Sequence, residues 1–401
     1  MKILFLITEG SLGGAERCLL DLVASFRTHR PDIELGLIAG GYGPLVDAVR
    51  DLGVKVTVLE LPASLASLGD NAVRSRTSAP IMARKLSSSA LALASFVREL
   101  RAAILTFSPD VVHSNGMKMH LLGALARPQG VRVVWYLQDF VGERPLASRA
   151  LRALSRRAAL AVSNSEAVRK DFVCIAPRLP SRAVWNAIDT EEFTPEGTRA
   201  PLDQLAGATA VPNALRVGLV ATYAKWKGQD IFLQAIEALC KTSPEIRAQF
   251  YIVGGPIYRT DGQFTENELR QMARSLGIAD RVAFVPFQNK PADVFRALDV
   301  VVHASSRPEP FGRTIVEGMA CGRAVIAVRD GGAAELISEG INALGIRPRD
   351  PASMATAIGR LCSDEALRSR MSQEARRDAV ARFSRDRLAG DMLRAYLAMS
   401  D

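Results

Sequence analysis

The chain has 401 residues, a hydrophobic fraction of 48% and a formal net charge of +9, from 51 Lys and Arg against 42 Asp and Glu. That length calls for two hydrophobic cores rather than one, and the apolar content excludes a disordered chain. The basic residues are not interleaved with base-stacking aromatics, so nucleic acid is not an expected partner despite the charge.

The N-terminal MKILFLITEG carries an apolar run too short for a secretory leader and is read as a first strand, 3–7. A helix at 15–26 follows, then strands at 34–39 and 54–59. The stretch 74–101 is basic and amphipathic: Arg74, Arg76, Arg84, Lys85, Arg98 and Arg101 surround Ile81, Met82, Leu91, Leu93 and Phe96. It fits a solvated helix face, with peripheral contact at an anionic membrane surface as the alternative. Strands at 111–113, 131–136 and 160–162 and a helix at 121–127 complete the first series. Ser163 and Glu166 form a capping-box pattern for the helix after the sixth strand.

From 194 to 213 the pattern lapses: Pro195, Gly197, Pro201, Gly207 and Pro212 punctuate a stretch with no apolar period, as in a linker. A second series follows at 216–221, 250–253, 282–284, 300–303, 324–328 and 343–346. Apolar strands alternating with helices imply parallel sheets covered on both faces. The expected architecture is α/β: two Rossmann-like, doubly wound domains, 1–193 and 214–384, with ligands at the carboxyl ends of the strands in a cleft between them. The last helix, within 385–401, is a candidate to return to the first domain. Five scattered cysteines (Cys18, Cys174, Cys240, Cys321, Cys362) form no CxxC pair and no metal-ligand spacing, as suits packing residues of a cytoplasmic protein.

The most informative string is RPEPFGRTIVEGMACGRAVIAVRDGGAAE, residues 307–335. Pro310 and Gly312 end the strand before it, and a helix is predicted to start near Arg313. Its first turn offers free N–H groups and a positive dipole end, which suit a phosphate or diphosphate. Glu309 precedes that end and Glu317 lies about one turn inside, at ~1.5 Å per residue. The two carboxylates would flank an anion, one near sugar hydroxyls and the other near a ribose. Either glutamate alone reads equally as a surface carboxylate at a helix start. The whole string resembles glycosyltransferase family 4, whose donor site contains two glutamates separated by seven residues.

That resemblance runs from residue 1 to about 361 and is thinnest between 61 and 100. It implies a GT-B fold and hexosyl transfer with retention of configuration. GSLGGAER, with Gly13 and Gly14, is similar to the family's glycine loop. DVVHSNGMKMH supplies His113, Asn115 and Lys118, and WYLQDF supplies Gln138 and Asp139, as cleft-facing candidates. Trp185–Asn186–Ala187–Ile188–Asp189 resembles an Asn-Gly-Ile-Asp signature, with Ala187 in place of Gly. Lys227, before Gly228, matches the lysine that contacts the donor diphosphate. Five residues earlier the family carries an arginine where this chain has Thr222, which supplies neither charge nor a bidentate fork; Lys225 and Arg313 are the candidate substitutes. Gly254 and Gly255 are placed near the nucleotide, Phe287 and Gln288 near its base, and Asp330–Gly331–Gly332 through Glu335 in the following loop.

The implied roles are Glu309 on the donor sugar, Glu317 on the ribose, and Lys227 with the helix start at Gly312, Arg313 and Thr314 on the diphosphate. Asn115 and Asp139 are contacts from the first domain. No Asp-x-Asp pair occurs in the chain, so no metal is expected, and the nucleotide sugar is a co-substrate rather than a cofactor. The acceptor is expected to be a glycan or lipid-linked sugar of cell-surface polysaccharide type, and is not identified. The competing readings are a catalytically silent nucleotide-sugar-binding subunit, a sugar-nucleotide epimerase, and a glycoside hydrolase built on the carboxylate pair.

Overall fold

The computed structural model describes residues 1–66, 79–256 and 262–399, the side chains of 79–89 excepted. It divides into two compact units, Met1–Ala187 with Arg385–Asp401, and Ile188–Ser384. Residues 74–78 of the basic stretch, and the side chains of Ile81, Met82, Arg84 and Lys85, lie outside the described residues. Among the described residues no helix is long and apolar enough to cross a membrane.

The first unit is built on seven strands: β1 (Lys2–Ile7), β2 (Glu34–Ala39), β3 (Lys55–Val58), β4 (Val111–Asn115), β5 (Arg132–Leu137), β6 (Leu160–Ser163) and β7 (Ser181–Ala183). Their order is β3-β2-β1-β4-β5-β6-β7, and every pairing is parallel. Successive residues Ile3 to Ile7 are all buried, because helices cover both faces of the sheet and each side-chain direction meets apolar surface. Two expectations need correcting. β7 was not foreseen, since Ser-Arg-Ala has no apolar signature; it pairs on one side only and is half-exposed. The helix after β6 (Glu166–Ile175) is capped by Ser165, whose hydroxyl accepts from Val168 N, so Ser163 belongs to β6 and Glu166 opens the helix and bonds Arg169.

The C-terminal helix (Leu388–Leu397) completes this unit. It buries Leu388, Ala389, Met392, Ala395 and Tyr396 beside the Gly14–His29 helix, and Tyr396 stacks on Phe26. The Tyr396 hydroxyl also shares a hydrogen bond with His113 Nδ1 at 2.5 Å, deep in the core.

The second unit carries β8 (Leu215–Val220), β9 (Ala248–Val253), β10 (Val282–Val285), β11 (Val300–His303), β12 (Ala324–Val328) and β13 (Leu344–Ile346). The order is β10-β9-β8-β11-β12-β13, again all parallel. After Ala187 the chain buries Ile188 and Phe193, the latter against Phe295, and two guanidinium groups gather the carbonyls between and beyond them. Arg376 donates to the carbonyls of Thr190, Phe193 and Ala320, and Arg296 to those of Glu192, Thr194 and Thr198. These contacts make 188–198 part of the second unit.

Met392 is fully buried. Met392→Ala should therefore destabilise the first unit by about 2–5 kcal/mol, read as a lower urea midpoint. An unchanged midpoint would show that the C-terminal helix is not part of that core.

Candidate donor site

In each sheet the strand order reverses beside the first strand, between β1 and β4 and between β8 and β11. The loops leaving adjacent strands there turn to opposite faces of the sheet and open a crevice at its carboxyl edge. In the second unit those loops carry Lys227 after β8, and His303, Ser305 and Glu309 at and after β11.

Glu309 is buried, at 7% exposure, and one of its oxygens gathers three donors. Lys227 Nζ donates to Oε2 at 2.8 Å, Ser305 Oγ at 2.7 Å and His303 Nε2 at 2.9 Å. Burial alone would raise the carboxyl pKa. The Lys227 ammonium and the hydrogen bonds from His303 and Lys227 outweigh it and hold the group well below the ordinary carboxylate range. Glu309 is thus a fixed, ionised carboxylate, and Lys227, with its ammonium 3.9 Å from the Trp226 ring centroid, is its counter-ion.

Backbone geometry keeps the pair in place. Gly228 has φ +77°, and a Cβ there would lie 2.0 Å from the Ala304 carbonyl, so only glycine lets the loop after β8 close against the end of β11. Gly331 has φ +59°, and a Cβ would meet the Glu309 carbonyl at 2.5 Å. It forms a bridge with Glu309, whose carbonyl accepts from Gly332 N at 2.7 Å. The expected Asp330–Gly331–Gly332 loop is in this way the support of Glu309.

Beyond Glu309 the Arg313–Ala320 helix begins where the sequence places it, with Gly312 at its N-cap and no side chain capping it. Its first-turn amides point toward the carboxyl edge, as an anion site requires. Glu317 is buried one turn in and accepts from Arg313 Nε at 2.7 Å, while Thr314 is half-buried at the helix start. Of the candidate substitutes for the missing arginine, Arg313 is thus committed to Glu317, and Lys225 lies over the Phe264 ring. Thr222 contributes its carbonyl to Gln229 Nε2 at 2.6 Å. Gly254 and Gly255 follow β9, and Phe287 follows β10 beside Gly255 with 56% of its surface exposed, a flat aromatic face at the same edge. Gln288 turns back to the Pro286 carbonyl.

In the first unit, Gly13 caps the Gly14–His29 helix without a side chain, and Gly14 is exposed. Asn115 ends β4, buried, with Nδ2 on the Leu6 carbonyl and Oδ1 without a partner among the described residues. Asp139 is half-exposed, paired with Arg144 and accepting from Phe140 N. His113 requires a correction. It does not face a ligand but sits wholly in the core among Phe5, Tyr136 and Tyr396, where burial pushes its pKa down to about 3. Its position three residues before the loop already places it inside the strand. Lys118 is held by the Ala66 carbonyl. Gln138 is tied into an amide network, its Oε1 accepting from Asn164 and Asn186 and its Nε2 donating to Asn186. A cavity of 630 Å³ lies along β7 between Arg182, Trp185 and Arg387, and none of Lys227, Glu309 and Glu317 lines it.

Sequence reasoning missed His303 and Ser305. In VVVHAS both read as the end of a buried strand, and only the turn that brings Glu309 back over β11 gives them a shared partner.

Two family models match the chain, one described as Glycosyltransferase Family 4 over residues 12–192 and one as Glycosyl transferases group 1 over residues 210–378. It is 29% identical to the D-inositol 3-phosphate glycosyltransferase of Actinosynnema mirum, over 72% of each chain. It is 34% identical to that of Stackebrandtia nassauensis over 52% of its own length, and spans about half (46%) of that relative. Among solved structures, Anabaena HepE in complex with UDP aligns with a TM-score of 0.78 at 25% identity, covering 99% of this chain and 100% of that one. HepE has also been solved with UDP-glucose.

The depressed Glu309 carboxyl has a signature in stability. A group whose pKa is lower in the folded state stabilises the fold above its unfolded value, 4.5, and loses that contribution as pH falls toward the folded value. Lys227→Met removes the ammonium that depresses it. The stability gap between wild type and this variant should be full at about pH 7 and shrink below about pH 4.5, measured by urea unfolding. A gap that does not narrow in acid would show that Lys227 does not hold Glu309 ionised.

Proposed function

Because the chain belongs to glycosyltransferase family 4, with the two parallel-sheet units of the GT-B fold, we propose that it transfers a sugar from a nucleoside-diphosphate sugar to an acceptor with retention of configuration and without a metal ion. The observation that carries this reading is the Lys227–Glu309 pair beside an uncapped helix start at the β8/β11 switch point. In the proposed complex, Lys227 and the amides of Gly312, Arg313 and Thr314 receive the diphosphate and offset the charge that grows on it as the glycosidic bond breaks. Glu309 accepts from a hydroxyl of the donor sugar, and Glu317 from the ribose. Phe287, exposed beside Gly254 and Gly255, gives the base a stacking face. Gly13, Gly14, Asn115 and Asp139 are the proposed contributions of the first unit.

Retention follows most economically from front-face attack, the leaving phosphate taking the acceptor's proton. Lysine and helix dipole supply the positive charge that a metal supplies where an Asp-x-Asp pair is present. The likeness to HepE makes UDP the first nucleotide to test. A glycan or lipid-linked sugar of a cell-surface polysaccharide is the proposed acceptor, with the reaction on the cytoplasmic side and the 74–101 stretch as the proposed membrane contact. One observation favours a second reading, a binding subunit without turnover: Thr222 leaves the diphosphate one cation short.

Calorimetric titration with UDP, GDP and ADP should show saturable binding of one of them, weakened at least about tenfold by Lys227→Ala and by Glu317→Ala, the loss typical of a charge-assisted hydrogen bond. No binding, or indifference to both substitutions, would overturn the donor-site assignment. With the matching sugar donor and an acceptor extract, we expect turnover that survives a chelator and gives a product of unchanged anomeric configuration by NMR. An inverted product or a chelator-sensitive rate would refute the mechanism, and binding with no turnover on any acceptor would favour the binding subunit.

A further inference from the structure

His303 and Ser305 have no place in the donor scheme above, yet both are buried, and both spend their side-chain hydrogen bonds on Glu309. Ser305 Oγ has a single proton, and its nearest acceptor is the ionised Oε2 at 2.7 Å. His303 Nε2 lies 2.9 Å from the same oxygen and 3.0 Å from Ser305 Oγ. A lone pair on Nε2 would be repelled by the carboxylate, so Nε2 carries the proton. Nδ1 is buried and has no partner among the described residues. All three donors, Lys227 included, meet Oε2, and none of them meets Oε1.

Such redundancy matters when one donor has a second task. In the structure Lys227 is the counter-ion of Glu309. If Lys227 turns to a diphosphate, Glu309 keeps its burial and loses its strongest partner, which would favour protonation or a swing of the side chain. Two donors fixed to β11 and the turn after it do not move with the lysine. From this arrangement, and resting on the donor-site reading above, we propose that His303 and Ser305 are positioning residues: they hold Glu309 by Oε2, ionised and in one orientation, so that Oε1 meets the donor sugar while Lys227 is released to the diphosphate. They act through Glu309 and touch no substrate.

The test compares UDP with UDP-glucose, because a residue acting through Glu309 affects the sugar and not the nucleotide. Wild type should bind UDP-glucose more tightly than UDP. His303→Leu should leave UDP binding unchanged and reduce the extra affinity for UDP-glucose by about tenfold, the loss expected when a donor to a buried charge is removed. His303→Gln, whose amide nitrogen reaches the place of Nε2, should restore most of it. His303→Asn, whose nitrogen reaches only the place of Nδ1, should not. A purely structural role would not separate Gln from Asn, and equal behaviour of the two would overturn the proposal. If His303→Leu does not fold, Ser305→Ala removes a second donor from the same oxygen and must lower the same margin; an unchanged margin there is equally fatal. Wild type binding UDP but showing no preference for UDP-glucose would sink this inference alone. Failure to bind UDP at all would remove the donor-site reading and this inference with it.

Discussion

A buried carboxylate must be paired, and in the second unit that requirement falls on Glu309. An ionised group at this depth is costly unless its charge and lone pairs are met, and here one oxygen is met by an ammonium, an imidazole and a hydroxyl. The partners come from the ends of β8 and β11, and the backbone of Glu309 leans on the loop after β12. Three loops are therefore fixed by one charge. The glycines at 228 and 331 follow from the same constraint, since each stands where a side chain would force those loops apart.

The fold places that charge where the topology opens the sheet. At the carboxyl edge of β8 and β11 the chain supplies an uncapped helix start, a lysine and two glutamates within one short stretch of structure. Neighbouring elements serve as scaffold. The guanidinium groups of Arg296 and Arg376 collect the carbonyls of the segment after Ala187, and the C-terminal helix closes the first unit through Met392 and Tyr396. The reaction proposed above calls for a preformed anion site rather than a protein nucleophile, and the Lys227–Glu309 pair beside the uncapped helix start is the feature of the second unit that supports it.

Much of this was legible in the amino-acid order. Strands such as VVVH and AVIAV are apolar on both faces, which only a covered parallel sheet explains, and Glu309, Glu317 and Lys227 stand in strings specific enough to be recognised. What escaped the reading is what folding creates. β7 is polar and short, with nothing in Ser-Arg-Ala to mark it. Ser163 stands at capping-box spacing from Glu166, and only the end of β6 shows that it belongs to the strand and that Ser165 is the cap. His113 was a cleft-facing candidate because the strand was expected to end at 113, whereas the strand runs two residues further and carries it into the core. His303 and Ser305 were hidden for the opposite reason: their apolar neighbours suggest mere burial, and their common partner appears only when the chain turns back.

In the proposed scheme Lys227 exchanges Glu309 for the donor diphosphate while Glu309 stays in place. A crystal structure of the chain with UDP-glucose tests it directly. We expect diphosphate oxygens about 3 Å from Lys227 Nζ and from the first-turn amides of the Arg313–Ala320 helix, with Glu309 still held by His303 and Ser305 and its other oxygen on a sugar hydroxyl. A nucleotide lodged away from the β8/β11 edge, or a diphosphate bound while Lys227 keeps its contact with Glu309, would contradict it.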